Sequence, residues 1–289
     1  MKLHTIHTGN FKLDGGAMFG VVPKVLWKSH VPPDENNLCS WAMRCLLVED
    51  GDHLLLIDTG IGNKQSEKFF SHYHLHGDMS LDGELGKRGF SRADITDVLL
   101  THLHFDHVGG AVERDRNGML KPAFPNAQFW SCARHWDWAM NPNPREKASF
   151  LSENLIPLQE SGQLQFIERA GRWNRQPFGE RYPGLQIFFA DGHTESQMLP
   201  IIEYNGTRIA YMADLTPAAA HIPMAWVIGY DTRPLLTMEE KGELLQQAAQ
   251  EDWVLFFEHD AQNACCRLTE TEKGIRATDL APSFEALWG

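Results

Sequence analysis

The segment Thr101–His107 constrains this chain most, because it places three histidines and one aspartate within six consecutive positions. It follows directly on an apolar run that is typical of a β-strand. Side chains two positions apart in an extended segment point the same way, so His102 and His104 can reach one cation. Asp106 and His107 follow at a turn. Adjacent side chains there point away from the first pair, so Asp106 and His107 are expected to serve a second cation. Imidazole with carboxylate suits zinc and similar divalent ions, whereas burying these groups without a cation would be costly.

Composition narrows the classes of protein to consider. The net charge is −12, and no run of basic residues offers a groove for nucleic-acid phosphates. No stretch reaches the length of an apolar membrane span, and the N-terminus lacks the apolar core of a secretory signal. Five scattered cysteines indicate reduced thiols. We therefore expect a cytoplasmic protein that acts on a small-molecule substrate, without nucleic-acid or membrane partners.

Strands and helices alternate along the chain, which predicts an α/β (α+β) fold in one domain over 1–289. Four apolar strands lead directly to histidine or aspartate: one ends at Asp58, Asp97–Thr101 ends where the histidines begin, and two others end at Asp191–His193 and Glu258-His259. A hairpin at Asn205-Gly206 delivers Asp214. A site at the strand ends is expected. Thr237 and Glu240 have the spacing of a capping box, which predicts that a helix begins there.

One segment, at about 63–90, is predicted to be a long, loop-like insertion, rich in glycine and histidine. It contains three alternating histidines, His72, His74 and His76, which would hold a third metal only if extended. A surface, a lid or a subunit contact is the favoured interpretation, and the insertion thus offers a surface for a homodimer.

The motif and the strand ends together resemble the metallo-β-lactamase superfamily. That resemblance implies a four-layer αββα sandwich with two divalent metal ions, zinc first, with manganese, cobalt or iron as substitutes. It implies one metal held by His102, His104 and His193, a second held by Asp106, His107 and His259, and Asp214 as the bridge. Asp58 would orient the cluster.

The charge of such a centre predicts hydrolysis. Two divalent cations, two carboxylates and a bridging hydroxide leave about one positive charge, which suits polarisation of a carbonyl or phosphoryl oxygen. Metal binding also lowers the pKa of water toward about 7, so hydroxide is the expected nucleophile. Asp106 could then pass a proton to the leaving group.

Segments outside the motif resemble YtnP-type quorum-quenching lactonases, which implies opening of N-acyl homoserine lactones. These segments are Leu13–Lys24 with Trp27, Phe124–Ala127, Trp136 with Asn141–Asn143, and Trp226–Asp231. Candidates for the substrate pocket, which could equally be core residues, are Met18, Phe19, Trp27, Phe105, His221, Trp226 and Tyr230. The better-known lactonases carry a tyrosine three residues after the bridging aspartate, where this chain has Pro217. Another donor, such as His221 or Tyr230, would be needed to assist the lactone carbonyl.

Other functions remain open from the sequence. Phosphotriester hydrolysis is the nearest alternative, since the spacing of His193, Asp214 and His259 fits organophosphate-hydrolysing members equally well. A mononuclear iron dioxygenase acting on glutathione persulfide occurs in the same superfamily, but the intact second ligand set argues against it. The full ligand set also argues against a non-catalytic binding module, and superfamily membership alone does not imply a β-lactamase.

Overall fold

The computed structural model describes residues 1–288, in which the strands form two large sheets and one hairpin. The strands are β1 (Lys2–Asp14), β2 (Leu38–Asp50), β3 (His53–Ile57), β4 (Asp97–Leu99), β5 (Val112–Arg114), β6 (Leu120–Pro122), β7 (Gln128–Cys132), β8 (Leu164–Ile167), β9 (Trp173–Asn174), β10 (Leu185–Ala190), β11 (Gln197–Tyr204), β12 (Thr207–Tyr211), β13 (Val254–Phe256), β14 (Cys265–Thr271) and β15 (Gly274–Ala281). One sheet has the order β1-β2-β3-β4-β7-β8, and the other has the order β15-β14-β13-β12-β11-β10-β9.

Helices connect the strands, and some of them cover the outer faces of the two sheets. The helices of the described chain are α1 (Gly15–Phe19), α2 (Lys24–Trp27), α3 (Glu67–Ser71), α4 (Leu81–Lys87), α5 (Phe105–Val108), α6 (Ala133–Met140), α7 (Ser152–Glu160), α8 (Pro234–Gln250) and α9 (Phe284–Trp288). Within the described chain, no helix is both long and apolar enough to cross a bilayer.

Alternating side chains of the strands produce the layers. In β2, Leu46 and Val48 point into the core between the sheets, whereas Cys45 and Leu47 point to the outer face of the first sheet. Side chains of α4, α6 and α7 pack on that outer face. Helix α8 packs on the outer face of the second sheet through Leu244 and its neighbours. The predicted four-layer αββα architecture is therefore confirmed.

The insertion at about 63–90 is not the continuous loop that the sequence predicted, because it contains α3 and α4. Each helix begins at a serine whose side chain accepts a backbone hydrogen bond, from Phe69 for Ser66 and from Gly83 for Ser80. Such N-caps satisfy otherwise unpaired donors and stabilise short helices. The insertion is thus a folded segment with its own helices.

Helix α8 begins earlier than the predicted capping box. Pro234 occupies the first turn, where its missing N–H costs nothing, and Thr237 lies inside the helix. Glu240 points away from the helix start and accepts hydrogen bonds from the backbone N–H groups of Asp191 and Gly192. The helix therefore supports the strand end that carries His193.

Candidate metal centre

The strand ends of both sheets meet at one edge of the sandwich and deliver the candidate ligands there. The segment after β4 carries the histidine motif, the end of β10 leads to His193, β12 leads to Asp214, and β13 leads to His259. The chain turns sharply after the motif at Gly109 and Gly110, which pack directly against the backbone of the segment 59–61. A Cβ atom on either glycine would overlap a carbonyl oxygen, of Ile61 or of Thr59 respectively.

Two non-glycine residues beside the candidate ligands adopt left-handed backbone conformations, with φ of 58° at Asp58 and 41° at Ala213. Such conformations are costly and persist only where the surrounding structure enforces them. The Asp58 carboxylate accepts hydrogen bonds from the Thr101 backbone and hydroxyl at 2.8 and 2.7 Å. It also lies 3.1 Å from Nδ1 of His107. Asp58 therefore contacts both ends of the motif. This is the position expected of a group that orients the cluster, the role that the sequence predicted for Asp58.

The structure brings together the three histidines predicted for the first metal. Nδ1 of His104 lies 3.1 Å from Nε2 of His102 and 3.2 Å from Nε2 of His193. All three imidazoles are buried. Their ligand atoms, with an oxygen of Asp214, lie within 4.8 Å of one another.

The second predicted set forms a neighbouring cluster. Nε2 of His107 and Nε2 of His259 are 3.3 Å apart. Oδ2 of Asp106 lies 3.8 Å from each of these nitrogens. These three buried residues also form a group whose ligand atoms all lie within 4.8 Å of one another.

Asp214 lies between the two clusters and presents one oxygen to each. Oδ2 is 3.2 Å from Nε2 of His193, in the first cluster, and Oδ1 is 3.1 Å from Nε2 of His259, in the second. Burial disfavours its charge, but His193 and the other histidines outweigh burial and hold the Asp214 pKa well below its ordinary value. The carboxylate has the position expected for a bridge.

Each of the five imidazoles has an inner nitrogen, which faces its cluster, and an outer nitrogen, which faces away from it. In four of them the outer nitrogen is Nδ1 and lies beside an oxygen that can accept its proton. Nδ1 of His193 lies 3.0 Å from Asp231, and Nδ1 of His259 lies 2.7 Å from the Ala42 carbonyl oxygen. Nδ1 of His102 lies 3.1 Å from the Thr101 hydroxyl, whose own proton goes to Asp58. For His107, the partners of Nδ1 are Asp58 and Glu258.

The fifth imidazole, His104, is turned the other way. Its outer atom is Nε2, which lies 3.6 Å from Oε1 of Glu146. Glu146 is itself buried and held through Oε2 by the Trp138 indole at 2.8 Å and by the Asn143 amide. The separation of 3.6 Å is longer than a hydrogen bond. The negative charge of this carboxylate favours a proton on Nε2, which leaves the lone pair of Nδ1 for the cluster.

The donor set fits divalent cations. With the outer nitrogens protonated, all five inner nitrogens present lone pairs to one another at 3.1–3.3 Å within their clusters, with no proton to share. Among the described residues, the buried Oδ1 of Asp214 has no hydrogen-bond partner either. Such converging lone pairs are stable around a cation.

A cavity of about 290 Å³ lies over the clusters. Its lining includes the small loop residues Ala148, Ser149 and Gly229, five of the candidate ligands, and a set of larger side chains. The larger ones are Leu13, Met18, Tyr73, Phe105, Arg145, Glu146 and Tyr230. Arg145 joins two walls of the cavity by donating to the carbonyl oxygens of Gly229 and Asp231.

The predicted pocket residues fall into three groups. Met18, Phe105 and Tyr230 line the cavity over the clusters. Trp226 instead lines a second cavity of about 720 Å³, together with Trp41.

Phe19, Trp27 and His221 line neither of these cavities. The Phe19 ring is stacked between the other two rings, with centroids 4.9 Å from Trp27 and 4.7 Å from His221. His221 is buried, and its Nε2 lies 2.9 Å from the Met18 carbonyl oxygen. These three residues therefore form an aromatic partition between the cavities.

The insertion histidines do not gather around one point. His76 lies 2.7 Å from the Ser40 hydroxyl, while His72 and His74 are exposed. Among residues 1–288, none of the clusters able to hold a metal includes them. Of the predicted interpretations, a third metal has no support here.

Sequence reasoning missed Glu146, Asp231 and Glu258 as partners of the ligand histidines. Oε2 of Glu258 lies 3.0 Å from Nδ1 of His107, and burial raises the Glu258 pKa to about 8. Glu258 could have been found, since it directly precedes His259. Glu146 carries no signal, because it reaches His104 from a loop that is remote in sequence.

Comparison with known proteins agrees with this geometry. The family model of the metallo-beta-lactamase superfamily matches residues 44–259. The N-acyl homoserine lactonase AiiA of Bacillus thuringiensis subsp. kurstaki is 24% identical over 286 residues, covering 92% of this chain and 96% of the relative.

Two solved structures superpose over most of the chain. A probable metal-dependent hydrolase from Staphylococcus aureus is 30% identical with a TM-score of 0.85, covering 98% of both chains. AidC, a dizinc quorum-quenching lactonase in complex with the product N-hexanoyl-L-homoserine, has a TM-score of 0.76 at 21% identity, covering 98% of this chain and 94% of that one.

The chain therefore belongs to the metallo-β-lactamase superfamily. Within that superfamily it is a hydrolase with histidine and aspartate groups suited to metal binding, and its relatives include lactonases.

Proposed function

We propose that this chain holds two divalent cations, zinc first, and opens the ring ester of lactones, with N-acyl homoserine lactones as the substrate class. The observation that carries the proposal is the set of buried donors that converge on two adjacent points with Asp214 between them. Lactonases among the relatives, one of them with a lactone-derived product, support the substrate class.

The residue roles follow from the two clusters. We assign the first cation to His102, His104 and His193, the second to Asp106, His107 and His259, and the bridge to Asp214. When bound, such cations lower the pKa of water and polarise an ester carbonyl, so a hydroxide nucleophile is available near neutral pH. The outer partners of the histidines hold the ring orientations that this chemistry needs.

Asp106 and Asp214 are the proposed catalytic carboxylates. Both are buried and both line the cavity, so each can touch a bound substrate or the attacking oxygen. Asp106 is the residue that we propose to accept the proton of the nucleophile and to pass it to the leaving alkoxide, which becomes the free hydroxyl of the opened ring.

Tyr230 is the proposed donor to the lactone carbonyl. Pro217 has no donor, and its carbonyl oxygen accepts the backbone N–H of His259. His221 lies in the aromatic partition and does not line the cavity, whereas Tyr230 does. Although Tyr230 is 41% exposed, the burial of the rest of its side chain raises its pKa to about 12, so its hydroxyl stays protonated at neutral pH. A hydroxyl of this kind can stabilise the negative charge that develops on the carbonyl oxygen.

A substrate panel tests the proposal directly. Protein saturated with zinc or manganese should contain about two metals per chain and should open N-acyl homoserine lactones, with release of one proton per ring. An aryl phosphotriester, nitrocefin and glutathione persulfide serve as the comparison substrates. A metal-replete enzyme that opens no lactone would overturn the substrate proposal, and a single iron with persulfide oxidation would identify the dioxygenase instead.

A further inference from the structure

The insertion reaches the cavity through one side chain, Tyr73, which follows α3. The backbone around it is anchored on β1. The Tyr73 carbonyl oxygen accepts the Lys12 N–H at 2.7 Å, and His76 exchanges two backbone hydrogen bonds of 3.0 Å with Asn10. A residue held at two such points is a fixed wall of the cavity.

The ring of Tyr73 packs on the metal-binding motif. Its centroid lies 4.7 Å from that of Phe105, which separates His104 from Asp106. Phe69 of α3 supports both rings, at 5.0 Å from Tyr73 and 5.4 Å from Phe105. The three rings form a continuous aromatic surface from the insertion to the motif.

Polarity divides the cavity into two ends. Leu13, Met18, Tyr73 and Phe105 line it and belong to one apolar cluster. The candidate ligands, Arg145, Glu146 and Tyr230 form the polar remainder. A substrate with a polar ring ester and an apolar side chain would match this division. The volume of about 290 Å³ lies just below the range of about 300–1,000 Å³ for ligand pockets.

We infer that Tyr73 determines substrate specificity: its ring closes the apolar end of the cavity and restricts the substrates to lactones with short acyl chains. This inference rests on the proposed lactonase function. The hydroxyl of Tyr73 has no hydrogen-bond partner within residues 1–288, so the ring, and not a polar contact, sets the limit.

The test compares acyl-chain profiles of kcat/KM. The wild-type enzyme should open butanoyl and hexanoyl homoserine lactones at least about tenfold more efficiently than the decanoyl and dodecanoyl homologues. Tyr73→Ala should remove or reverse that preference, because each further methylene that finds apolar space contributes roughly a fourfold gain. The gain should appear mainly in KM for the long chains.

Control variants distinguish an effect of cavity size from an effect of the Tyr73 hydroxyl or of misfolding. Tyr73→Phe keeps the ring and should keep the wild-type profile. Leu75→Ala changes an exposed residue of the same insertion and should also keep it. Tyr73→Leu is a milder opening of the cavity, should Tyr73→Ala fail to fold, and metal content with thermal unfolding checks each variant.

The outcomes distinguish the two proposals. A wild-type preference for long chains, or an unchanged profile in folded, metal-replete Tyr73→Ala or Tyr73→Leu, overturns the role of Tyr73 while the lactonase function stands. A wild-type enzyme that opens no lactone overturns the lactonase function, and the role of Tyr73 falls with it.

Discussion

The floor and the rim of the cavity are built in opposite ways. We call the two clusters of seven proposed ligands the floor: His104, Asp106, His193, Asp214 and His259 line the cavity, and His102 and His107 complete the clusters. Each imidazole of the floor has an oxygen behind its outer nitrogen. The rim consists of Leu13, Met18, Tyr73, Phe105 and Tyr230. Its two tyrosine hydroxyls have no hydrogen-bond partner in the described part of the chain. The side chains of the floor are therefore held in place by partners outside the clusters, whereas the hydroxyls of the rim are available to contact a substrate.

The largest effect is expected from Asp214→Ala, because this floor residue faces both clusters. Metal content should fall from about two to near zero per chain. Activity should fall by at least about 10³-fold, since several kcal/mol of charge stabilisation are lost. Elemental analysis and lactone turnover measure both, with the exposed Asp137→Ala as the control. Two retained metals would show that Asp214 is not the bridge.

His259→Ala should separate the metal binding of the two clusters in the floor. The variant removes one of three ligands from the second cluster and none from the first. Elemental analysis should therefore give about one metal per chain. His72→Ala, which changes an exposed histidine of the insertion, should retain two metals. Equal loss from both clusters would contradict the assignment of His259.

Tyr230→Phe should affect the rim alone. Loss of one donor to a developing oxyanion costs about 10²-fold in kcat, whereas the metal content should not change. Tyr204→Phe, at the end of β11, is the matched control. Steady-state kinetics with a short-chain lactone measure the effect. An unchanged kcat would mean that the cations alone stabilise the carbonyl oxygen.

Glu146→Ala should give the smallest effect of the four, because Glu146 supports a floor residue from outside the clusters. Loss of such a partner typically weakens metal affinity or activity by about 10–100-fold. Glu146→Gln keeps an oxygen acceptor near Nε2 of His104 and should cost less than Glu146→Ala. The rate of metal release to a chelator measures this, with the exposed Glu160→Ala as the control. Equal release rates in all variants would show that Glu146 does not orient His104.

The residues that the sequence nominated as ligands lie together in the structure, whereas only some of the nominated pocket residues line the cavity over them. The strand ends, the αββα layers and the neighbours within Thr101–His107 depend on local patterns, which can be read along the chain. Contacts between remote segments, such as Glu146 with His104 and Tyr73 with Phe105, leave no such pattern.

Two predictions failed for a related reason. Glu240 was interpreted as part of a helix cap, but it satisfies the backbone of Asp191 and Gly192 on another element. The insertion was interpreted as a loop because its helices are too short to show periodicity, although Ser66 and Ser80 mark where they begin. In the first case, a contact with another element determined the role of Glu240. In the second case, the helices have only five to seven residues, and their serine caps were the available signal.

The proposed ligands come from the ends of both sheets, so each cation would join the two halves of the sandwich. Binding to the folded chain alone raises the free energy of unfolding as the free metal concentration rises above Kd. Linkage is reciprocal: anything that loosens the contact between the sheets must also weaken metal binding. A cavity-forming substitution deep in the core, such as Leu46→Ala, should therefore weaken metal retention although it touches no ligand.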